Sequence, residues 1–451
     1  MENIQHRRLF TNKMLVRLLV PLVIEQGLAI LVGMCDGMMI SSAGEAAISG
    51  VSLVDMINNV ILTLMAALAT GGAVITSQFL GAEELKKAKQ SIGQLTLMAG
   101  VFGVLAMVLC LVFAEPLMRL FFGSIDDDVM KAGLLYLRIT AFSFPFIALY
   151  NAGAAIFRSV GNSAVSMKAS ILMNLINVSG NALCIYGLKM GVAGVAVPTL
   201  VSRMVAAVMI LVLAADRRQT LRLEKENLFT LRGGMMKNIL RIGVPNAVEN
   251  SFFQLGRTIV VSMIALFGTV HITANSVANN LDALGCIIGN AFSIAMVTVV
   301  GQCVGARDYD QAGHYIKRML LWEYIFQGIF NVLILVSLDI LVGLYSSLSP
   351  ETVVLTKQLV WIHNGIGILL WPLSFALPNA LRAAGDVKFT MWVGAGSMLV
   401  WRLGLSWLLC VQMEMGALGV WIAMIVDWIC RIIFFVSRIL GSKWKTKYTS
   451  A

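Results

Sequence analysis

The sequence predicts an all-α integral membrane protein: twelve transmembrane helices in two parallel-repeat six-helix bundles around a central cavity. Three observations carry that prediction. Hydrophobic residues make up 58% of the 451 and charged residues 13%, and the mean hydropathy is +0.83. A soluble chain of this length needs far more charge to cover its surface. The chain also repeats itself at a spacing of 224 residues, and its Lys and Arg fall almost entirely into alternate connections.

The repeat holds without a gap through most of the first half. Pro21 and Glu25 return as Pro245 and Glu249, Gly44 as Gly268, and Gln78-Phe79-Leu80-Gly81-Ala82 as Gln302-Cys303-Val304-Gly305-Ala306. Arg158 returns as Arg382 and Gly161 as Gly385, while Gly191 and Gly194 return as Gly416 and Gly419 at an offset of 225. Duplicated membrane units of this kind are a feature of many secondary transporters.

Apolar runs such as 95–114 and 319–338 reach the roughly 18–20 residues that cross a bilayer. In order, helices are expected at 14–40, 50–80, 91–114, 132–157, 164–186, 192–216, 238–267, 275–304, 315–338, 356–381, 388–411 and 416–438. The first follows a basic flank (His6, Arg7, Arg8, Lys13, Arg17) that resembles no cleavable leader. The second and third are joined through Lys86, Lys87 and Lys89, the fourth and fifth through 158–168, and the eighth and ninth through 307–318. The intervening connections are short, and their charges are mostly acidic: Glu45, Glu115, Asp126, Asp127, Asp128, Asp339, Glu351 and Glu414. The positive-inside rule then places both termini and the mixed-charge segment 216–237 in the cytoplasm of a multi-pass cell-membrane protein. The expected division is an N-terminal bundle over 1–215, a linker over 216–237, a C-terminal bundle over 238–440 and a tail over 441–451. Six is even, so the halves enter from one side and are parallel repeats, with rocking of the bundles as the natural motion.

Pro21, Asp36 and Gly44, Gln78-x-x-Gly81-Ala82, Phe157-Arg158-Ser159-Val160-Gly161-Asn162 and the Gly191–Thr199 stretch resemble the multidrug and toxic compound extrusion (MATE) transporters. Leu381-Arg382-Ala383-Ala384-Gly385-Asp386 and Gly416–Val420 are the second-half counterparts. The resemblance implies export of organic cations or other amphiphiles in exchange for inward H⁺ or Na⁺. It also implies an ion site built from Asp36 on the first helix with Asn177 and Asn181 on the fifth. Many relatives carry Asp where this helix has Asn, and 358–381 has no acid where some relatives place one.

A carboxylate at mid-bilayer costs about 2.5–3.5 kcal/mol on insertion scales, so each one needs a partner or a task. Asp36 has no Lys or Arg within a turn or two and reads as the coupling carboxylate or as a hydrogen-bonded core acid. Glu25, eleven residues earlier, lies about 20° away around the helix and about 16 Å along it, so both acids face one way. Glu25 and its repeat Glu249 read as helix-end contacts, a gate, or ion ligands. Asn174, Asn177 and Asn181 form one stripe at i, i+3 and i+7, suited to helix gluing or to an ion site. Asp55, Asn58 and Asn59, and Asn279, Asn280 and Asp282, are cavity-lining or interfacial candidates, and Gln254 belongs with the cavity set. Arg257 is expected to be held by Glu249 or Asp282. Asp427 and Arg431, four apart, read as a structural pair that Arg402 could join.

The expected function is secondary active efflux of amphiphilic or cationic small molecules by alternating access, with a monomer in the lipid bilayer. A lipid-linked saccharide flippase is the alternative, and a polytopic membrane enzyme a more remote one. Four scattered His, seven scattered Cys and the absence of a Walker loop give no cofactor, metal-cluster or ATP-pump signal. Nothing in the charge distribution calls for nucleic acid.

Overall fold

The computed structural model describes residues 8–42, 44–123, 126–345 and 348–447. His6 and Arg7 of the basic flank and the end of the tail (448–451) lie outside them. The described residues are helical throughout, without a strand. We number the long helical spans α1 Asn12–Ser41, α2 Glu45–Gly81, α3 Leu85–Val112, α4 Asp127–Ala141 continuing as Phe144–Ser159, α5 Ser163–Gly187 and α6 Ala193–Ala215. The second half supplies α7 Gly233–Ala265, α8 Thr269–Gly285 continuing as Ile287–Gly305, α9 Tyr309–Val336, α10 Pro350–Ala383, α11 Val387–Gln412 and α12 Gly416–Leu440.

Ten of these are long and apolar enough to cross a membrane by length and composition, and the bent pair in α4 makes eleven. The twelfth, α7, is 33 residues long but carries Arg241, Glu249, Gln254 and Arg257 along its length. Length lets it span, and polarity hides it from a hydropathy window.

Two spans expected to be continuous are broken. The fourth bends by 47° between Ala141 and Phe144, where Pro145 at the start of the second piece removes a backbone donor. Gly103 of α3 lies against that Pro, and a Cβ there would stand 2.6 Å from its Cα. The eighth breaks at Cys286. In the second half, α10 and α11 widen into i→i+5 turns at Trp361–Gly365, Pro372–Ala376, Met398–Leu405 and Trp407–Gln412. Such turns inside α-helices are frequent at functional sites.

The chain divides into two compact units: Lys13–Ala247, and Val248 onward together with the segment ending at Asn12. In the first, the 216–237 segment is not a free tether. It contains the short helix Lys225–Phe229, and Gln94 of α3 donates to the Asn227 and Thr230 carbonyls at 2.9 and 2.8 Å. Gly93 makes room for it, since a Cβ there would meet the Asn227 carbonyl oxygen at 2.4 Å. Lys89 adds an ion pair to Glu224 at 2.9 Å. In the second unit the Tyr315 hydroxyl of α9 donates to the Phe10 carbonyl at 2.7 Å and accepts the Phe10 N–H at 3.0 Å. Outward faces of the helices are apolar, as lipid requires: Val104, Val108 and Val112 on α3 and Ile329, Val332 and Val336 on α9 are exposed.

Candidate functional site

Asp36 lies deep in α1, and its Oδ1 accepts a hydrogen bond from Asn181 Nδ2 of α5 at 2.7 Å. The same amide nitrogen faces Asn177 Oδ1 at 3.3 Å, and Asn177 Nδ2 donates to Thr199 Oγ1 of α6 at 2.9 Å. The i, i+4 spacing of Asn177 and Asn181 puts both amides on the α5 face turned to α1 and α6. Both are buried. Asn181 Oδ1 is also buried and has no hydrogen-bond partner. Asn174, the third of the stripe, instead donates to Ser170 Oγ at 3.3 Å on its own helix.

A cation absent from the sequence expectations completes the cluster. Arg203 of α6 donates from Nη1 to Ser143 Oγ at 2.7 Å, and its charge acts on both Asp36 and Asp55. The Tyr136 hydroxyl and the Asn58 amide face the Asp55 carboxylate. Asn58 Nδ2 also reaches Thr140 Oγ1 at 3.5 Å. Two carboxylates and one guanidinium therefore share one polar interior. The signal for Arg203 was a lone cation in an otherwise apolar span, four residues after Thr199.

Glu25 is separate from this cluster. It is buried, with Arg158 Nη2 in very short contact, Ser166 Oγ donating at 3.0 Å and the Tyr150 hydroxyl at 3.4 Å. The repeat reproduces the pair. Glu249 Oε1 lies 2.8 Å from Arg382 Nη2, and both of its members sit 224 residues beyond those of the first pair. Arg382 is further held by Asn379 Oδ1 at 2.8 Å. Each pair ties the helix carrying Pro21 or Pro245 to the helix end bearing the Arg-x-x-Gly motif.

That arrangement narrows the expected partner of Arg257 from Glu249 or Asp282 to Asp282, whose carboxylate feels the Arg257 charge without a hydrogen bond between them. Glu249 is taken by Arg382, and Asp282 lies 3.3 Å from His363 Nδ1. Among the described residues Arg257 makes no ion pair or hydrogen bond. Arg402 joins Asp427 and Arg431 only through its charge, without a hydrogen bond or ion pair to either among the described residues. Those two pair by themselves at 3.1 Å, with Ser397 donating to Asp427 and Arg431 reaching the Gly394 carbonyl at 3.3 Å. Arg402 is left with a buried, unpartnered Nε. Asn59 and Asn280 are exposed and, like Gln254, make no side-chain hydrogen bond among the described residues, while Asn279 donates to the Asn275 carbonyl at 2.7 Å.

The second unit also holds a polar stripe that sequence reasoning missed. Glu323, Gln327 and Asn331 recur at i, i+4 and i+8 on α9, all buried. Gly285 and Gly289 of α8 face it, and a Cβ at either would run into Asn331 Oδ1 (2.5 Å) or Gln327 Oε1 (2.7 Å). The fourfold spacing was readable, but three residues on one face of an apolar helix stand out only once their burial is known. Among the described residues no group of three His, Cys, Asp or Glu is placed to hold a metal ion.

Comparison with known proteins agrees with this layout. The MatE family model matches residues 21–183 and again 245–408. The two matches are offset by 224 at their starts and 225 at their ends, the register of the internal repeat. The uncharacterised transporter YisQ of Bacillus subtilis is 29% identical over 425 residues, covering 92% of this chain and 91% of YisQ. The probable multidrug resistance protein NorM of Thermotoga maritima is 25% identical, covering 97% and 94%. An outward-facing multidrug resistance MATE transporter of the MOP superfamily superposes with a TM-score of 0.89 over 96% of each chain at 20% identity.

Proposed function

The chain belongs to the MatE family, and on that premise we propose that it is a secondary active efflux antiporter. It exports amphiphilic and cationic organic compounds in exchange for an inward ion, by alternating access, from a cell membrane with both termini on the cytoplasmic side. The relatives named are transporters and multidrug resistance proteins, which favours this reading over a flippase or an enzyme.

The observation that carries the reading is the 2.7 Å hydrogen bond from Asn181 to Asp36. A membrane-buried carboxylate whose partner sits on another helix can change its charge and its packing together. Ionised, Asp36 accepts the Asn181 N–H and draws α1 to α5. Protonated, it loses part of that attraction. Ion binding thereby biases one packing of α1 against another, which is what coupling requires. An inward unit charge contributes about 2.3 kcal/mol per 100 mV.

Two features suit H⁺ better than Na⁺. The Asn181 side facing Asp36 is an amide donor, which a hard cation cannot use as a ligand. Arg203 also places a fixed positive charge against the same carboxylates. Efflux of a fluorescent cation from everted vesicles, with pH and Na⁺ gradients imposed separately, tests this. The expected result is efflux driven by the pH gradient. Efflux driven by the Na⁺ gradient alone would discard the proton assignment.

A further inference from the structure

Most of the partly or fully buried guanidinium groups among the described residues have a hydrogen-bonded partner. Arg158 has Glu25, Arg203 has Ser143, Arg382 has Glu249 and Arg431 has Asp427. Arg257 of α7 and Arg402 of α11 have no hydrogen bond or ion pair among the described residues. Arg402 is half-buried with its Nε enclosed, and Arg257 is exposed at the same depth of the bundle; a cation at membrane depth without a bonded partner by default marks a place where a ligand supplies the missing charge.

The two arginines approach one another. Gly256 of α7 lies against Met398 of α11, where a Cβ would stand 2.6 Å from the Met sulfur. Arg257 follows that crossing directly and Arg402 comes one turn later. Their charges act jointly on Asp282 of α8 and His363 of α10. The other charged groups around Arg402 are Asp427 and Arg431 of α12, already committed to one another. Trp421 and Trp428 pack against His363 with ring centroids at 5.9 and 5.0 Å. Arg402 and His363 both sit in i→i+5 segments, Met398–Leu405 and Trp361–Gly365.

The repeat shows what changed. With the offset of 224, the place of Asp36 falls on Val260, and with 225 the place of Asn177 falls on Arg402. Where one copy has an acid and an amide, the other has a valine and a cation. We propose that Arg257 and Arg402 form an oxyanion-binding site in the C-terminal bundle, which receives a carboxylate or phosphate group of the transported amphiphile. Planar guanidinium forks match such groups in bidentate fashion. This substrate class rests on the efflux reading above, but binding needs no gradient and is measured apart from it.

The test is equilibrium binding to the purified full-length protein, followed by energy transfer from tryptophan to dansyl-glycine (a carboxylate) or to the neutral dansyl-glycinamide. The wild type is expected to bind the acid at least tenfold more tightly than the amide. Arg257→Gln and Arg402→Gln should each reduce that preference to twofold or less, and Arg402→Lys should retain part of it. Lysophosphatidate added as competitor separates sources. Displacement at lower concentration than free acetate-bearing competitors assigns the site to a lipid phosphate, and the converse assigns it to a soluble carboxylate; both keep the oxyanion site. Equal binding of acid and amide by the wild type would overturn it, as would a preference surviving in the double Gln variant. A failure of gradient-driven efflux in the same preparations, with the acid preference intact, would instead count against the coupling reading alone.

Discussion

In the N-terminal bundle a carboxylate on α1 is answered by an amide on α5; at the matching places of the C-terminal bundle stand Val260 and Arg402. The Glu–Arg pairs, by contrast, are the same in both copies, Glu25 with Arg158 and Glu249 with Arg382. After a duplication, features needed by each bundle alone stay alike, and features needed once per molecule are free to diverge. On the proposed reading, the ion pairs belong to the scaffold and the unlike interiors to transport. One interior carries two acids around one Arg, and the other carries Arg257 and Arg402, neither hydrogen-bonded, beside Asp282 and the Asp427–Arg431 pair.

The scaffold half of that contrast gives the largest expected effect. Glu25→Gln and Glu249→Gln each leave a buried Arg uncompensated, a loss of about 3–5 kcal/mol. Both variants should lower the thermal midpoint in detergent by similar amounts. A large drop for one and none for the other would break the equivalence of the two pairs. Next comes Asn181→Ala, which removes the donor to Asp36 and should slow gradient-driven efflux about tenfold while leaving the thermal midpoint within a few degrees. Loss of folded protein without a kinetic change would move Asn181 into the scaffold class. Smaller again is Arg402→Gln. Because this Arg has no partner to lose, the ligand-free midpoint should hold or rise by a few degrees, and a fall as large as that of Glu249→Gln would show a partner and sink the polarity contrast.

The smallest effect concerns the docked 216–237 segment. Hydrogen bonds from Lys89 first, and then Arg222, hold the Glu224 carboxyl below its ordinary range. A depressed carboxylate contributes stability above its unfolded value and loses it as pH falls through its folded one. Docking should therefore weaken only below about pH 4.5, and by about 0.5 kcal/mol at this part-exposed site. Hydrogen exchange of the 224–231 amides at pH 7 and pH 4 reads it. Protection that is unchanged in Lys89→Ala at pH 7 would remove Glu224 from the docking contacts.

Much of this was legible in the sequence because membrane physics writes in periods. The repeat register, the span order and the Asn177–Asn181 face all follow from spacing, and the structure brings Asn181 to Asp36 as one contact. The seventh span, α7, is too polar for a hydropathy window, yet it was expected at 238–267 as the repeat mate of α1. Two things were not legible. The break at Ala141–Phe144 was signalled only by Pro145, and the break at Cys286 by no proline in the sequence. Pairing was the least readable. Glu249 lies eight residues before Arg257 on the same helix, yet it bonds Arg382, 133 residues away, because the repeat of Glu25 and Arg158 fixes that geometry. Arg203 stayed unread for a related reason: its partners Ser143, Asp36 and Asp55 come from three other helices.

The coupling role of Asp36 is tested most directly by counting charge and substrate together. Proteoliposomes holding wild type or Asp36→Asn are loaded with a fluorescent cation, and release is followed after an imposed inward pH gradient. The account predicts that the wild type extrudes the dye against its own gradient. The Asn variant, with its cluster otherwise intact, should only equilibrate the dye, more than tenfold more slowly under the same gradient. Uphill extrusion by Asp36→Asn at the wild-type rate would contradict it.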